Sequence, residues 1–263
     1  MKNMHLFAGH GGGLLCDLIL GHTPIVAVEW DKYACQVLRA RASDGWFPGL
    51  QVWEGDVRLF DPSKYTGSVD CIHAGFPCQD ISTAGKQAGI GPETRSGLYR
   101  EVIRIAGMVR PKQLFLENVS AIVANGLGTV LADLAALGYD SEWLCLRASD
   151  CGANHYRDRW WLLANAYNDS KSACSIHDEA QRMQESCKAN ASNADCAQPQ
   201  RMRSAIGRIE EFSNFGMGSW WKTKPAIHGV DDGVANGLHR LKGLGNAQVP
   251  LQAAVAYRLL NDK

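Results

Sequence analysis

The sequence predicts an α/β fold, and its N-terminal part indicates this most strongly. Residues 4–7 are predicted to form a strand, residues 8–13 a glycine-rich turn and residues 14–20 a helix. A second predicted strand, 25–28, ends at Glu29. A strand, a glycine turn, a helix and an acidic residue about 20 positions further on form the layout of a nucleotide-binding βαβ unit. The glycines let the backbone approach a ligand, and the carboxylate can accept ribose hydroxyls.

Length and composition limit the possible domain organisation and cellular compartment. A chain of 263 residues can form one large α/β domain, or one such domain with a smaller insert. Its 27 basic and 27 acidic residues cancel, so net charge argues neither for nor against a nucleic-acid partner. The nine cysteines lack secretory context, and we expect reduced thiols of a cytoplasmic protein. We expect neither a signal peptide nor a membrane-spanning segment.

Hydrophobic periodicity predicts the remaining elements. The predicted strands are 52–54, 69–74, 113–116, 143–146 and 160–163, and the predicted helices are 32–41, 98–109, 130–137 and 251–260. Asp31 is expected to cap the first of these helices. In an open α/β sheet, residues just past the strand ends face the ligand crevice. We therefore expect the residues that follow strands 69–74 and 113–116 to share one rim.

Cys78 follows the buried strand 69–74 and is the candidate nucleophile. It stands in the run Gly75-Phe76-Pro77-Cys78-Gln79, where the proline fixes the backbone beside the sulfur. A thiolate is a strong nucleophile near neutral pH. The alternative is a buried structural cysteine, which is the commoner role for any single cysteine.

Polar groups at two other strand ends are further candidates. Glu117 and Asn118 follow strand 113–116, and Asp56 follows strand 52–54. A carboxylate at position 56 could receive an adenine amino group, although an aspartate in a turn is the simpler interpretation. A lone glutamate at a strand end is likewise more often a surface charge.

Strand alternation predicts that His155, Arg157 and Arg159 share one face before strand 160–163. Three donor groups on one side suit an anionic or carbonyl-rich ligand. A solvated edge strand is the alternative.

The composition changes after residue 164. Residues 165–200 are rich in Ala, Ser, Asn and Asp, and part of this stretch could be disordered. Cys174, His177, Cys187 and Cys196 fit none of the usual zinc spacings, so no metal site is predicted. Arginines and aromatic residues mix after Arg201, which suits a nucleic-acid surface or a small satellite core.

Taken together, these stretches resemble the DNA cytosine-5 methyltransferase family, nearest to the short enzymes of phages and prophages. The matching runs, in the family's order, are LFAGHGGG, VEWDKYA, GDV, GFPCQDIS, FLENV, HYRDRWWLLA and LGNAQVP. The resemblance implies a Rossmann-like S-adenosylmethionine-dependent methyltransferase sheet with a small inserted target-recognition region. It implies a catalytic and cofactor-binding domain at 1–164 and a small, partly flexible target-recognition region at 165–240. A C-terminal segment at 241–263 would then return to the catalytic domain.

The resemblance also implies residue roles in methylation of a flipped-out cytosine. Cys78 would add to C6 of the base, and Glu117 would form a hydrogen bond at N3. Arg157 and Arg159 would hold the O2 side of the ring. Asn118 would orient the loop.

The resemblance assigns the methyl donor, S-adenosylmethionine, to a second set of residues. The methionine portion would lie at Phe7, Gly9, Gly11 and Gly12; the ribose and adenine would lie at Glu29, Trp30, Asp56 and Val57; and the rest would be lined by Gly75, Pro77, Leu98 and Asn246.

One residue departs from the family's pattern, because His155 stands where a glutamine is usual. The expected partner is double-stranded DNA, bound by a monomer with no membrane association. The rival interpretations are a cytosine-5 methyltransferase that acts on tRNA and a catalytically silent DNA- or cofactor-binding homologue. A nicotinamide oxidoreductase is disfavoured because Leu14 replaces the third fingerprint glycine. An amino-group methyltransferase is disfavoured because its Asp/Asn-Pro-Pro-aromatic motif is absent.

Overall fold

The computed structural model describes residues 1–77, 98–167 and 247–262, and it confirms the α/β fold. The strands are β1 Lys2–Leu6, β2 Thr23–Glu29, β3 Gln51–Glu54, β4 Cys71–Gly75, β5 Gln113–Asn118, β6 Tyr139–Arg147 and β7 Asp158–Ala166. The helices are α1 Gly12–Leu20, α2 Lys32–Ser43, α3 Tyr99–Val109, α4 Ile122–Asn125, α5 Leu127–Ala136 and α6 Pro250–Asn261. Each predicted strand and helix is present, and α4 is an addition to the predicted set.

The described strands form one seven-stranded sheet in the order β3-β2-β1-β4-β5-β7-β6. The pairs from β3 to β5 are parallel, whereas β7 runs antiparallel to both β5 and β6. The chain moves outward from β1 to β3 and then crosses to β4 on the other side of β1. Ligands of such sheets bind at this switch in strand order, beyond the carboxyl ends of the strands. The fold therefore places the candidate site at the ends of β1 and β4.

The two faces of the sheet differ in polarity because strand residues alternate sides. On one face, Met4, Ile72 and Leu114 are fully buried in a core that includes α3 and α5. The opposite face is covered by α1 and α6, and it carries His5 and His73 next to apolar residues. His5 and His73 are register partners on β1 and β4, so their imidazoles lie side by side on this face, next to the glycine turn.

Helix α6 packs on α1, β6 and β7, so the C-terminal segment lies on the main sheet. Its first residue is Pro250, a favourable N-terminal helix position for proline. Buried Gln252 donates from Nε2 to the carbonyl oxygens of Leu146 at 2.8 Å and Arg157 at 3.0 Å. This contact fixes α6 against the turn that precedes β7. The predicted domain division stays a prediction, because residues 168–246 lie outside the described part.

A buried polar network joins α1 to the sheet. The Asp17 carboxylate accepts a hydrogen bond from Asn3 Nδ2 at 2.7 Å and lies 2.7 Å from His5 Nε2. Burial alone would raise the pKa of Asp17, but His5, His73 and Asn3 together lower it below its ordinary value. None of the described helices is both long enough and apolar enough to span a bilayer.

We predict that Asp17→Asn lowers the free energy of unfolding by about 1–3 kcal/mol, because one of the two buried oxygens that face Asn3 and His5 becomes an NH₂ donor. The lowered pKa means that the ionised carboxylate stabilises the fold above pH 3.8, its ordinary value, and that this contribution is lost as the pH falls through the lower folded-state pKa. Urea unfolding at several pH values would measure the difference, which should shrink in acid. The exposed control Asp44→Asn should change stability by less than about 0.5 kcal/mol. Equal effects of the two variants would contradict the prediction.

Candidate active site at the carboxyl edge of the sheet

The turn between β1 and α1 depends on left-handed backbone conformations. Phe7, Gly9 and Gly11 have φ values of 57°, 54° and 94°, a region that glycine adopts without strain and phenylalanine rarely does. The strand therefore ends at Leu6, one residue before the predicted end. Gly11 occupies the N-cap of α1, and no side chain of the described residues caps the helix there. Within the described part of the chain, the N–H groups of the first helical turn thus have no side-chain capping partner.

Glu29, at the end of β2, holds this turn in place. Its Oε2 accepts a hydrogen bond from the backbone N–H of Gly9 at 2.7 Å. Its Oε1 accepts from the backbone N–H groups of Trp30 at 2.9 Å and Asp31 at 2.7 Å. The carboxylate therefore connects the ends of β1 and β2. Asp31 in turn caps α2 by accepting from the N–H groups of Tyr33 and Ala34, as predicted.

A pocket opens between the glycine turn and the ends of β4 and β5. It encloses about 380 Å³ of empty space, part of it open to solvent. The predicted residues that line it are Phe7, Gly9, Gly12, Gly75 and Glu117. The lining residues that are not predicted from the sequence are His5, Leu6, Ala8, His10, Gly13, His73, Ala247 and Gln248.

Glu117 forms the polar wall of this pocket. Its register partner is Gly75 on β4, and its Oε1 lies 2.9 Å from Arg159 Nε on β7. Because Glu117 pairs with Trp161, Arg159 is its diagonal neighbour two residues away on the same face. Burial raises the pKa of Glu117, while Arg159 and Arg157 oppose that shift. The result is a carboxyl group that can exchange a proton more readily near neutral pH than an exposed glutamate can.

Asn118 organises the backbone beyond β4. Its Nδ2 donates to the carbonyl oxygen of Phe76 at 3.2 Å, and its Oδ1 accepts from the N–H of Val119 at 2.8 Å. These bonds join the end of β5 to the strand end that leads to Pro77. Pro77 is half-buried and is the last described residue before Cys78.

The structure corrects the predicted face shared by His155, Arg157 and Arg159. Strand β7 begins only at Asp158, and Arg157 has a left-handed φ of 23°. The N–H of Ala148 bonds to the carbonyl oxygens of Tyr156 and Arg157, which closes a turn. Strand alternation therefore does not apply before residue 158. His155 is exposed, Arg157 Nη2 donates to the carbonyl oxygen of Ala247, and Arg159 pairs with Glu117.

The five cysteines in the described part are poor nucleophile candidates. They are Cys16, Cys35, Cys71, Cys145 and Cys151. Burial raises the pKa of each thiol, to about 11 for Cys35 and to about 12 for Cys145 and Cys151. Such thiols stay protonated at neutral pH, so they lack the thiolate that nucleophilic chemistry requires.

Several predicted site residues are not among the residues that line the pocket. Trp30 is 71% exposed beyond β2, which leaves its ring available to a ligand. The Asp56 carboxylate pairs with Arg58, whose hydrogen bonds lower the pKa of Asp56, and Val57 is buried. The other described ones are Gly11, Glu29, Pro77, Leu98, Asn118, Arg157 and Arg159, while Cys78 and Asn246 lie outside the described residues.

His5, His73 and Gln248 are the most important residues that sequence reasoning missed. The two histidines alternate with apolar neighbours in strands, a weak signal that would also fit a solvent-facing side. Gln248 lies within the run LGNAQVP, but its polar amide contacts residues that are distant in the chain. No spacing rule connects it to them.

The donor atoms of His5, Asp17 and His73 lie within 4.8 Å of one another, close enough to consider a metal site. However, one Asp17 oxygen accepts from Asn3, and the other is paired with His5. His73 is buried beside them, with its ring centroid 4.8 Å from that of Phe115. We therefore regard the cluster as part of the packing between α1 and the sheet.

Comparison with protein families gives a match over most of the chain. The model described as C-5 cytosine-specific DNA methylase matches residues 1–227. Type II methyltransferase M.CviJI of Paramecium bursaria Chlorella virus IL3A is 35% identical over 165 residues, which is 62% of this chain and 42% of that protein. Type II methyltransferase M.NgoMIV of Neisseria gonorrhoeae is 35% identical over 166 residues, 62% of this chain and 51% of that protein. The chain thus spans about half the length of these curated relatives.

Solved structures resemble the described fold. A protein encoded within an E. coli prophage, described as a DNA modification methyltransferase, is 26% identical with a TM-score of 0.51, and the match covers 63% of this chain and 47% of that one. The S. pombe Dnmt2 methyltransferase has a TM-score of 0.51 at 15% identity and covers 76% of this chain and 57% of its own. At that identity the second likeness concerns the fold alone.

We predict that Gly75→Ala separates Glu117 from Gln248. An added Cβ would lie 2.9 Å from both Glu117 Oε2 and Gln248 Nε2, closer than real Cβ contacts. Overpacking commonly costs about 1–3 kcal/mol, and because both contacted atoms are side-chain ends that can shift, we expect the free energy of unfolding to fall by about 1 kcal/mol. Urea unfolding would measure the loss, and a crystal structure of the variant would show the displacement.

The matched control is Gly107→Ala in α3. Its added Cβ would meet only Leu137 Cδ2 at an ordinary 3.6 Å. Alanine also favours the helix, so stability should stay the same or rise slightly. If Gly75→Ala were as stable as this control, the inference that Glu117 and Gln248 pack closely around Gly75 would be wrong.

Proposed function

The chain belongs to the C-5 cytosine-specific DNA methylase family, and from this premise we propose that it transfers a methyl group from S-adenosylmethionine to C5 of cytosine in double-stranded DNA. The observation that carries this proposal is the Glu117–Arg159 pair, whose carboxyl group lines the pocket together with residues of the glycine turn. A carboxyl group with a raised pKa and a guanidinium can together bind the polar edge of a pyrimidine.

The cofactor proposal depends on how well the pocket suits S-adenosylmethionine. The uncapped first turn of α1 offers backbone N–H groups to a carboxylate. Buried His10 Nε2, in the pocket lining, has no hydrogen-bond partner among the described residues and could serve a polar ligand. Phe7, Gly9, Gly11 and Gly12 would hold the methionine portion. When bound, S-adenosylmethionine supplies an electrophilic methyl group.

The remaining predicted residues complete that cofactor site. Glu29 and the exposed ring of Trp30 lie at the end of β2 and would bind the ribose and the adenine. The other assigned contacts are Asp56, Val57, Gly75, Pro77, Leu98 and Asn246.

The chemistry begins with activation of a poor nucleophile. Cytosine C5 reacts only after a nucleophile adds at C6, and Cys78 is proposed to add as the thiolate. Glu117, in its protonated form, would donate to N3 and stabilise the charge that develops in the ring. Once C5 is methylated, the C5 proton passes to solvent, its electron pair re-forms the C5–C6 double bond, and Cys78 leaves C6 as the thiolate.

The arginines and Asn118 position these groups. Arg159 holds one oxygen of Glu117 and would present its remaining N–H groups to the cytosine O2. Arg157 is fixed to the carbonyl oxygen of Ala247 and adds positive charge on the same side. Asn118 fixes the backbone of Phe76, two residues before Cys78. A base held in this way must leave the duplex stack.

The biological setting is proposed from the same family membership. The protein would act as a monomer in the cytoplasm of a bacterium or of a phage-infected host, with or without a cognate restriction endonuclease. Target recognition would fall to residues 165–240, mainly the basic and aromatic part after Arg201. A tRNA substrate is less well supported, since the likeness to the S. pombe protein concerns the fold alone.

We predict that Cys78→Ser abolishes methyl transfer but changes S-adenosylmethionine affinity by less than about threefold, because the hydroxyl is not ionised at neutral pH. Transfer of a labelled methyl group to duplex DNA and calorimetric binding of the cofactor would measure the two effects. Cys145→Ser is the matched control and should keep activity, since that thiol lies on β6 with a pKa near 12. Activity in the Cys78 variant would exclude Cys78 as the nucleophile.

We also predict a stable covalent adduct with duplex DNA that contains 5-fluorocytosine. Fluorine cannot leave as a proton does, so the bond between Cys78 and C6 should persist after methyl transfer. Intact-mass measurement should show protein plus DNA plus one methyl group. Turnover on normal DNA without any adduct on the fluorinated DNA would refute the covalent route.

A further inference from the structure

Gln248 packs closely against three glycines, Gly12 and Gly13 after the glycine turn and Gly75 on β4. A side chain at any of these positions would collide with it. A Cβ added to Gly12 would clash with the Gln248 carbonyl oxygen. A Cβ added to Gly13 would lie 2.9 Å from Gln248 Oε1, and one added to Gly75 would lie 2.9 Å from Gln248 Nε2. Three glycines therefore leave the space that this one residue fills.

The amide of Gln248 lies between His73 and Glu117. Its Nε2 is 3.5 Å from Glu117 Oε2, a long hydrogen bond in which the amide donates to the carboxylate. Its Oε1 and the His73 imidazole both lie next to Gly13, because a Cβ added there would be 2.9 Å from Gln248 Oε1 and 2.9 Å from His73 Cε1. Since a carboxylate can only accept, the NH₂ end of the amide must face Glu117 whenever Glu117 is ionised. The carbonyl end then faces His73.

We propose that Gln248 is a positioning residue that fixes the orientation and the proton affinity of Glu117 during methyl transfer. This inference rests on the proposed function. Arg159 holds Oε1 of the carboxyl group at 2.9 Å, and Gln248 donates to Oε2 at 3.5 Å. A carboxyl group held at both oxygens has one rotamer available, which is how a general acid keeps its proton directed at a substrate.

The segment that carries Gln248 is itself held in place. Arg157 Nη2 donates to the carbonyl oxygen of Ala247, and Gln252 connects α6 to the carbonyl oxygen of Arg157. Arg157 also acts on Glu117 through its charge. One short segment therefore connects the acid, an arginine of the site and the glycine turn.

The charged and titratable groups around Glu117 set the sign of the expected effect. Arg159 on β7 and Arg157 before it favour the ionised carboxylate. His73 on β4 lies behind Gln248, is neutral, and contacts His5 with ring centroids 5.0 Å apart. The Gln248 amide also favours the ionised carboxylate, because it donates to it. Removing the amide should therefore raise the pKa of Glu117.

The test compares Gln248→Met, which keeps the size but removes the amide, with Gln248→Glu, which places a second carboxyl group next to Glu117. The readouts are the single-turnover rate of adduct formation with 5-fluorocytosine DNA from pH 6 to 10, cofactor affinity and the thermal unfolding midpoint. The control is Gln113→Met, which removes a glutamine amide at the other end of β5, where it bonds to Asn165 and Asn261.

For Gln248→Met we expect the rate at neutral pH to fall roughly tenfold and cofactor affinity to change less than about threefold. The alkaline limb of the profile, assigned to the protonated Glu117, should move up by roughly half to one pH unit. Gln248→Glu should move it further, because two neighbouring carboxyl groups cannot both ionise easily. Gln113→Met should leave the limb where it is in the wild type. If Gln248→Met does not fold, the shift in Gln248→Glu carries the test.

An unchanged alkaline limb in the Gln248 variants, with an active wild type, would refute this inference and leave the proposed function intact. A rate loss matched by an equal loss of cofactor affinity would also refute it, because Gln248 would then act only on cofactor binding. Absence of methylation by the wild type on every duplex tested would refute the proposed function and this inference with it.

Discussion

The close approach of Ala247 and Gln248 to the carboxyl edge of the sheet is the constraint on which the pocket depends. It is possible because Gly12, Gly13 and Gly75 have no side chains at the points of contact. Helix α6 holds this segment in place, because the helix is buried along most of its length against α1, β6 and β7. A segment near the C-terminus thereby completes a site that the first and middle thirds of the chain begin.

The pocket that Gln248 completes has polar groups on a buried face of the sheet. His5, His73 and Glu117 lie on the side covered by α1 and α6, where apolar residues would be the simpler choice. Burial of such groups is unfavourable unless they are paired. Asp17 pairs with His5, and Arg159 pairs with Glu117. The pairing lets a parallel-sheet interior carry ionisable side chains up to the edge of a ligand pocket.

Two opposing effects meet at Glu117, and their balance fits the proposed chemistry. Burial favours the neutral acid, whereas two arginines and an amide favour the carboxylate. With burial prevailing, the pKa is raised, as a proton donor to a weakly basic ring nitrogen requires. Burial is the largest effect on the thiols elsewhere in the described part, and their raised pKa values suit packing rather than catalysis.

The amino-acid sequence by itself determined the order of strands and helices, the glycine turn, and the candidates at the ends of β4 and β5. These are local features: side-chain periodicity, helix capping by Asp31 and turn-forming glycines act over a few residues. Only the tertiary structure decided that strand β7 begins after His155 and Arg157 and that Gln248 lies against Glu117, 131 positions earlier in the chain. Contacts of that kind follow from strand order and from which face a helix covers. Those properties arise only when the whole sheet packs, because burial energy is shared among distant segments.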